Sequence, residues 1–148
     1  MSGCHPSFRL WALLLAVTLL GACGAAATES PAIPSPTANP DVAFLDALDA
    51  VWSSPYDEAA VAALYAPDSV FHDMVANETS TGLEEIQAKI KDAAAMSFRA
   101  TTTSAPIRQG NFVAYFIKFG PDPDTYPGLS VLELKDGMVL NHWVYPAP

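Results

Sequence analysis

The sequence predicts an α+β domain over residues 40–148, and this prediction rests on one change in residue pattern and one turn signal. Apolar residues recur at helical spacing over most of residues 40–95, and they follow a period of two from residue 96 onward. Asp136-Gly137 lies between two alternating runs and supplies the positive φ angles that a tight hairpin turn needs. This order of elements indicates one sheet that curls around helices.

Three helices are predicted in the first half of the domain. The first begins with Asn39 as N-cap and Pro40 at the first helical position. The second is the segment PYDEAAVAALYAP, residues 55–67, which is capped by Asp57 and closed by Pro67. The third follows a capping box formed by Thr81 and Glu84. The predicted buried faces are Val42, Leu45, Leu48 and Trp52 on the first helix and Leu83, Ile86, Ile90 and Ala94 on the third.

Strands are predicted at residues 68–74, 97–107, 112–119 and on both sides of the Asp136-Gly137 turn. The strand at 112–119 is apolar on both faces. One face carries Phe112, Ala114 and Phe116, and the other carries Val113, Tyr115, Ile117 and Phe119. A sheet that is apolar on both sides has both sides covered, so we expect helices on one face and a second subunit on the outer face.

The acidic composition excludes several classes of partner. The formal net charge is −9, and Arg9 is one of only seven basic residues against sixteen acidic ones. Nucleic acid needs a basic footprint, so no nucleic-acid partner is expected. Attraction to anionic lipid is excluded for the same reason.

Residues 1–22 are predicted to be a lipoprotein signal peptide. The apolar run at residues 10–20 is too short to span a bilayer, and it ends in Leu-Gly-Ala-Cys, which resembles a bacterial lipobox. The alternative is an ordinary secretory signal in which Cys23 has no role. With a lipobox, Cys23 is lipidated and residues 23–39 form a disordered tether rich in Ala, Pro, Ser and Thr. We therefore expect the protein at the cell envelope, membrane-anchored and extracytoplasmic.

The segments LYAPDSVFHD, GLEEIQAKI and LELKDGMVLNHW occur in an order that resembles the SnoaL-like branch of the NTF2-like superfamily. The resemblance covers residues 41–146. It implies a cone in which a curved, mostly antiparallel sheet wraps around helices and leaves a central, largely apolar cavity. Members of the superfamily include ketosteroid isomerases and polyketide cyclases as well as proteins that only bind, so the fold does not decide the function.

The resemblance also implies candidate catalytic residues. Asp73 falls on the position of the general base of the ketosteroid isomerases, and Tyr65 falls on a tyrosine of their oxyanion-side network. The acid of that network is replaced by Ser130, and its third tyrosine falls near Ile90, so steroid isomerisation is not expected. The alternative for Asp73 is a strand end whose carboxylate binds loop amides, and the alternative for Tyr65 is a core aromatic.

His142 is the third catalytic candidate, since the resemblance turns its face of the last strand toward the cavity. The alternative is a core histidine bonded to a backbone carbonyl, and a register slip by one residue would turn Asn141, Trp143 and Tyr145 inward instead. The predicted ligand-binding residues are Phe71, Ser130, Leu132, Leu140, Val144 and Trp143.

No metal is expected, because His72 and Asp73 are adjacent on a strand and point to opposite faces. No cofactor is expected either, since the sequence has no P-loop and no dinucleotide-binding glycine pattern. Three functions remain open. The first is a tethered module that binds a small apolar or amphipathic molecule. The second is an isomerase, cyclase or hydratase that uses Asp73 as base, with His142, Tyr65 or Ser130 steadying the developing charge. The third is an interaction or dimerisation module that docks through its outer sheet face.

Overall fold

The computed structural model describes residues 39–53 and 55–147. The predicted signal peptide, Cys23 and the tether as far as residue 38 lie outside the described residues. In chain order the elements are α1 (Pro40–Val51), α2 (Glu58–Leu64), β1 (Tyr65–Asp73), β2 (Glu78–Thr81), α3 (Leu83–Ala95), β3 (Phe98–Thr102), β4 (Ile107–Gln109), β5 (Phe112–Pro121), β6 (Tyr126–Lys135) and β7 (Met138–Pro146).

The strands form one curved, open sheet, and the predicted α+β class is confirmed. The strand order is β2-β1-β7-β6-β5-β3, and β4 pairs with β5. The β1–β7 pair is parallel and the others are antiparallel. The parallel pair places the C-terminal strand beside β1, and this brings residues from the two ends of the domain together.

The start signals of α1 and α2 act as predicted. The Asn39 side chain accepts the Asp41 N–H at 3.0 Å, and Pro40 occupies the first turn. Asp57 accepts the N–H groups of residues 59 and 60 at 3.0 and 3.1 Å. These contacts satisfy backbone donors that have no partner within the helix.

Two local predictions about helix boundaries are wrong, one at the end of α2 and one at the start of α3. The second helix ends at Leu64, and Tyr65 already begins β1, because the residue before Pro67 disfavours helical geometry and the chain becomes extended there. The capping box at Thr81 is absent. Thr81 pairs with Val70 in the sheet, Gly82 is the N-cap of α3 with φ +86°, and the Thr81 N–H donates to Glu85, not Glu84, at 2.7 Å.

The predicted strand at 97–107 is two strands, β3 and β4, on the same partner strand. Between them the Thr103 N–H donates to the Phe116 carbonyl, and the Ser104 hydroxyl accepts the Phe116 N–H at 2.9 Å. The hairpin turn is confirmed, with φ +53° at Asp136 and +82° at Gly137.

The helices cover one face of the sheet and enclose the core with it. Along β5, Val113, Tyr115, Ile117 and Phe119 are buried on this face. On the opposite face, Phe112 and Phe116 are 45% and 56% exposed. On α1, Val51 is buried, whereas the predicted core residue Val42 is 45% exposed. The sheet therefore has the two apolar faces expected from the sequence, and the described residues cover only one of them.

Candidate functional site

A cavity of about 520 Å³ lies between the buried face of the sheet and the helices α1 and α3. Its walls are largely apolar and aromatic, with Trp52, Phe71, Phe98 and Phe119 among the lining residues. Polar groups reach it from two sides. Ser130 and His142 lie on the sheet side, and carboxylates lie on the helices and on the end of β1. An apolar cavity with a few convergent polar groups is the usual form of a small-molecule site.

A buried chain of hydrogen bonds lies at the sheet side of the cavity. The Trp52 indole N–H donates to the Tyr65 hydroxyl at 2.8 Å, and that hydroxyl lies 2.8 Å from His142 Nδ1. His142 Nε2 lies 2.8 Å from the Ser130 hydroxyl. Tyr65, Ser130 and His142 are all almost fully buried. The chain connects α1, β1, β7 and β6, and it orients both nitrogens of the histidine ring.

The direction of each hydrogen bond in this series follows from which groups can donate and which can only accept. An indole N–H only donates, so the Tyr65 oxygen accepts from Trp52. The buried Tyr65 proton then needs an acceptor, and His142 Nδ1 is the one that the described residues provide. A neutral imidazole with an accepting Nδ1 carries its proton on Nε2, which donates to Ser130. Burial lowers the pKa of His142 to about 3 and raises the pKa of Tyr65, so both groups are neutral near pH 7.

Tyr115 is directly opposite Ser130 on β5, and it lines the cavity. Burial raises the pKa of Tyr115, while a hydrogen bond from Ser130 opposes this rise. Because Ser130 accepts from His142, its own proton is free to go to the Tyr115 oxygen. The Tyr115 hydroxyl then keeps its own proton for another acceptor.

Asp73 reaches the cavity, but both of its oxygens are engaged. One oxygen accepts the N–H groups of Val75 and Ala76 at 3.1 and 2.9 Å, and the other lies 3.1 Å from Lys89 Nζ. Lys89 also contacts Glu78 at 2.9 Å. Burial alone would lower the pKa of Lys89, but its hydrogen bonds to Glu78 and Asp73 raise it. Asp73 thus has the loop-capping contacts of the alternative interpretation, and Lys89 on α3 adds an ion pair to them.

Asp49 is a cavity carboxylate that the sequence analysis missed. It lies on α1, and one oxygen accepts the Thr102 N–H at 2.5 Å. Burial raises its pKa, although the hydrogen bond from the Thr102 backbone opposes the rise. Its charge also contributes to raising the pKa of Tyr115. A signal was present in the sequence, since Asp49 is four residues after the buried Leu45 and so lies on the same face of the helix.

The predicted ligand-binding residues divide into two groups. Phe71, Ser130 and Val144 line the cavity. Leu132 is buried in the core outside the cavity lining, and Leu140 and Trp143 are also outside it. Trp143 is on the outer face and stacks on His72 with ring centroids 5.2 Å apart. The expectation that Leu132, Leu140 and Trp143 contact a ligand is therefore corrected.

The reason for the Leu140 error is an irregularity in the strand. The β6–β7 register shifts between Glu133 and Leu134, so that Glu133 faces Asn141 while Leu134 faces Val139. Val139 and His142 are both buried although they are three residues apart. A bulge of this kind changes which face a side chain occupies, and strict alternation does not reveal it. The alternative register, with Asn141, Trp143 and Tyr145 inside, is wrong.

Within residues 39–53 and 55–147, no three His, Cys, Asp or Glu side chains are grouped so that they could hold a metal ion. None of the helices in this part of the chain is long and apolar enough to span a membrane.

Comparison with known proteins identifies a family. The family model described as SnoaL-like domain matches residues 42–142, which is more than half of the chain. None of the curated proteins matches.

Several solved structures share the fold. A proposed isomerase of the SnoaL-like family from Agrobacterium tumefaciens has 21% identity and a TM-score of 0.62, over 72% of this chain and 97% of its own. A hypothetical protein with a ketosteroid isomerase-like fold from Catenulispora acidiphila, solved in complex with trimethylamine, has 23% identity and a TM-score of 0.62, over 70% and 85%. A proposed polyketide cyclase from Streptomyces antibioticus has 17% identity and a TM-score of 0.58, over 72% and 91%. At these identities the likeness shows the fold, an NTF2-like cone.

Proposed function

We propose that this protein, which belongs to the SnoaL-like domain family, binds a small amphipathic molecule in its cavity without changing it covalently. The observation that carries the proposal is a cavity of about 520 Å³ with aromatic walls and a neutral, directed hydrogen-bond chain on its sheet side. This volume lies in the range of ligand pockets. The Tyr115 hydroxyl donates to an oxygen or other acceptor of the ligand, and the aromatic walls cover its apolar part.

The contacts of Asp73 support binding over catalysis. A general base needs a lone pair that faces the proton to be removed. The Asp73 oxygens instead accept two backbone N–H groups and the Lys89 ammonium. His142 is a poor general acid for the same cavity, because burial lowers its pKa to about 3 and it carries no extra proton near pH 7.

The proposal is tested with a neutral fluorescent probe, N-phenyl-1-naphthylamine, and a matched pair of Ala→Phe variants. Ala100 lies on β3 and lines the cavity, whereas Ala114 lies on the outer face of β5. We expect Ala100→Phe to fill the cavity and weaken probe binding at least tenfold, while Ala114→Phe binds the probe like the wild type. Equal binding by all three proteins, or no binding by the wild type, would contradict a ligand-binding cavity.

A second candidate function is proton transfer of the isomerase or cyclase kind, with Asp49 rather than Asp73 as the base. One observation favours it. Asp49 is a cavity carboxylate whose pKa is raised by burial, and it lies close enough to affect the Tyr115 hydroxyl electrostatically. Such a pair would remove a proton and steady the developing oxyanion. Incubation of a bound carbonyl compound in D₂O decides the point, since catalysis incorporates deuterium beside the carbonyl and binding alone leaves the compound unlabelled.

We further propose that a lipid on Cys23 tethers the domain to the outer side of a membrane. The support is the apolar run at residues 10–20, followed by Leu-Gly-Ala-Cys, and the acidic composition, which leaves acyl chains as the means of attachment. Mass spectrometry of the protein recovered from membranes should find acylated Cys23 at its N-terminus, and Cys23→Ala should release the protein from the membrane fraction. Processing at another residue, or membrane retention of the variant, would overturn the tether.

A further inference from the structure

We propose that the cavity selects an organic cation, a ligand with an alkylammonium group, and that Asp49 is its counter-charge. This inference rests on the proposed binding function and names the class of ligand. Three features of the cavity wall lead to it: the balance of charges, the arrangement of aromatic rings and the contacts of Asp49.

The charges on the cavity wall are unbalanced. Four carboxylates line the cavity, those of Asp49, Asp73, Glu78 and Asp92, and Lys89 is the one cation among the lining residues. Lys89 is already engaged by Asp73 and Glu78 at 3.1 and 2.9 Å. An anionic ligand would therefore enter a negative field without a free partner of opposite sign. A cationic ligand would instead be attracted into a cavity whose low-dielectric walls strengthen the interaction.

The aromatic rings on the wall form a continuous series. Ring centroids are 4.8 Å apart for Trp52 and Phe71, 6.2 Å for Trp52 and Phe98, and 6.3 Å for Phe98 and Phe119. Phe119 then contacts Tyr126 at 4.5 Å, and all five rings line the cavity. Ring faces attract alkylammonium groups, and grouped aromatic rings are a recurrent means of binding them. The wall already accommodates one cation, because Lys89 Nζ lies 5.7 Å above the centre of the Phe71 ring.

Of the two cavity carboxylates that do not contact Lys89, Asp92 is exposed to solvent and Asp49 is half-buried, so Asp49 is the one that a cation inside the cavity would meet. It accepts one backbone N–H, from Thr102, and no ion pair to it is found among the described residues. Asp73 and Glu78, in contrast, share Lys89. A half-buried carboxylate without a cation is costly, and burial raises the pKa of Asp49 accordingly. A bound ammonium group would supply the missing charge, and a neutral ligand of the same shape would not.

The test compares two probes of nearly equal shape that differ in charge: choline, and 3,3-dimethyl-1-butanol, in which carbon replaces the quaternary nitrogen. NMR titration of the protein at low ionic strength, following the Trp52 indole N–H, reports cavity binding. We expect choline to bind at least fivefold more tightly than the alcohol. Asp49→Asn keeps the size of the side chain and an acceptor for the Thr102 N–H, and it should remove most of this preference.

The control variant is Asp46→Asn, which removes the same charge from α1 at a position outside the cavity lining. It should keep the preference for choline. Loss of this preference in both variants would reflect net charge and would overturn the assignment of Asp49. The inference is also overturned if choline binds no better than the alcohol while N-phenyl-1-naphthylamine still binds. In that case the proposed binding function still stands. Absence of binding by the dye as well as by choline overturns both.

Discussion

His142 shows how burial sets the state of a single residue. Its ring is 3% exposed, and its two nitrogens lie between the Tyr65 and Ser130 hydroxyls. The charged form would lose hydration and gain no carboxylate partner, which is why burial lowers the pKa to about 3. The family resemblance implied an inward position for this residue but did not identify its partners, since Tyr65 is 77 positions away in the chain.

The low pKa of His142 predicts a pH dependence of stability. Between pH 6.5, the pKa of an unfolded histidine, and about 3, the unfolded chain binds a proton that the folded chain does not. Stability from the neutral ring is therefore complete above pH 6.5 and is lost as the pH falls toward 3. Relative to His142→Gln, the wild type should lose about 1.4 kcal/mol of unfolding free energy per pH unit in this window.

Urea unfolding of both proteins at pH 7.5, 6 and 5 measures this effect. The comparison with His142→Gln removes the contributions of the carboxylates, which the two proteins share. A difference in unfolding free energy that stays constant from pH 7.5 to 5 would contradict a neutral, buried His142.

At the scale of elements, helix starts and the hairpin turn were predictable because their signals are local. Asn39 and Asp57 cap the helices that follow them, and Asp136-Gly137 forms the predicted turn. The capping box at Thr81 failed because β2 pairs with β1 and takes Thr81 into the sheet. Pairing with a strand earlier in the chain is not encoded in the neighbouring residues, so a local pattern does not reveal it.

The outer face of β5 carries a further prediction at this scale. Ile107, Phe112 and Phe116 are 74%, 45% and 56% exposed, and exposed apolar groups of this size favour a covering partner. We propose that a second copy of the chain covers this face. Two copies with a formal charge of −9 repel each other, so apolar contact through this face has to outweigh that repulsion.

Light scattering of the protein and two variants tests the dimer. Phe116→Asp places a charge on the face and should halve the measured mass, whereas Val42→Asp, which changes an exposed apolar residue of α1, should leave the mass unchanged. A wild-type protein that is already monomeric at high micromolar concentration would overturn the proposal. So would a Phe116→Asp protein that remains dimeric.

At the scale of the whole molecule, the cavity exists because strands from distant parts of the chain share one curved sheet. The parallel pairing of β1 with β7 sets Phe71 opposite His142 and Asp73 opposite Val144. The antiparallel β5–β6 pair sets Tyr115 opposite Ser130. These pairings collect the polar groups of the cavity from four elements, and the helices α1 and α3 close it with aromatic and acidic side chains.

The sequence by itself determined the fold class, most helix starts and the hairpin, because period, caps and turn residues act over a few neighbouring positions. It showed that both faces of β5 are apolar but not that the face with Val113 is the buried one. The resemblance to the SnoaL-like family implied cavity-facing positions for Asp73 and His142. Only the tertiary structure decided what these residues do there. Three features depend on contacts between separate elements: the ion pair of Asp73 with Lys89, the hydrogen bonds of the neutral His142 ring and the position of Asp49 at the cavity. The electrostatic environment of a side chain is set by whatever packs around it in space, and a local pattern does not contain that information.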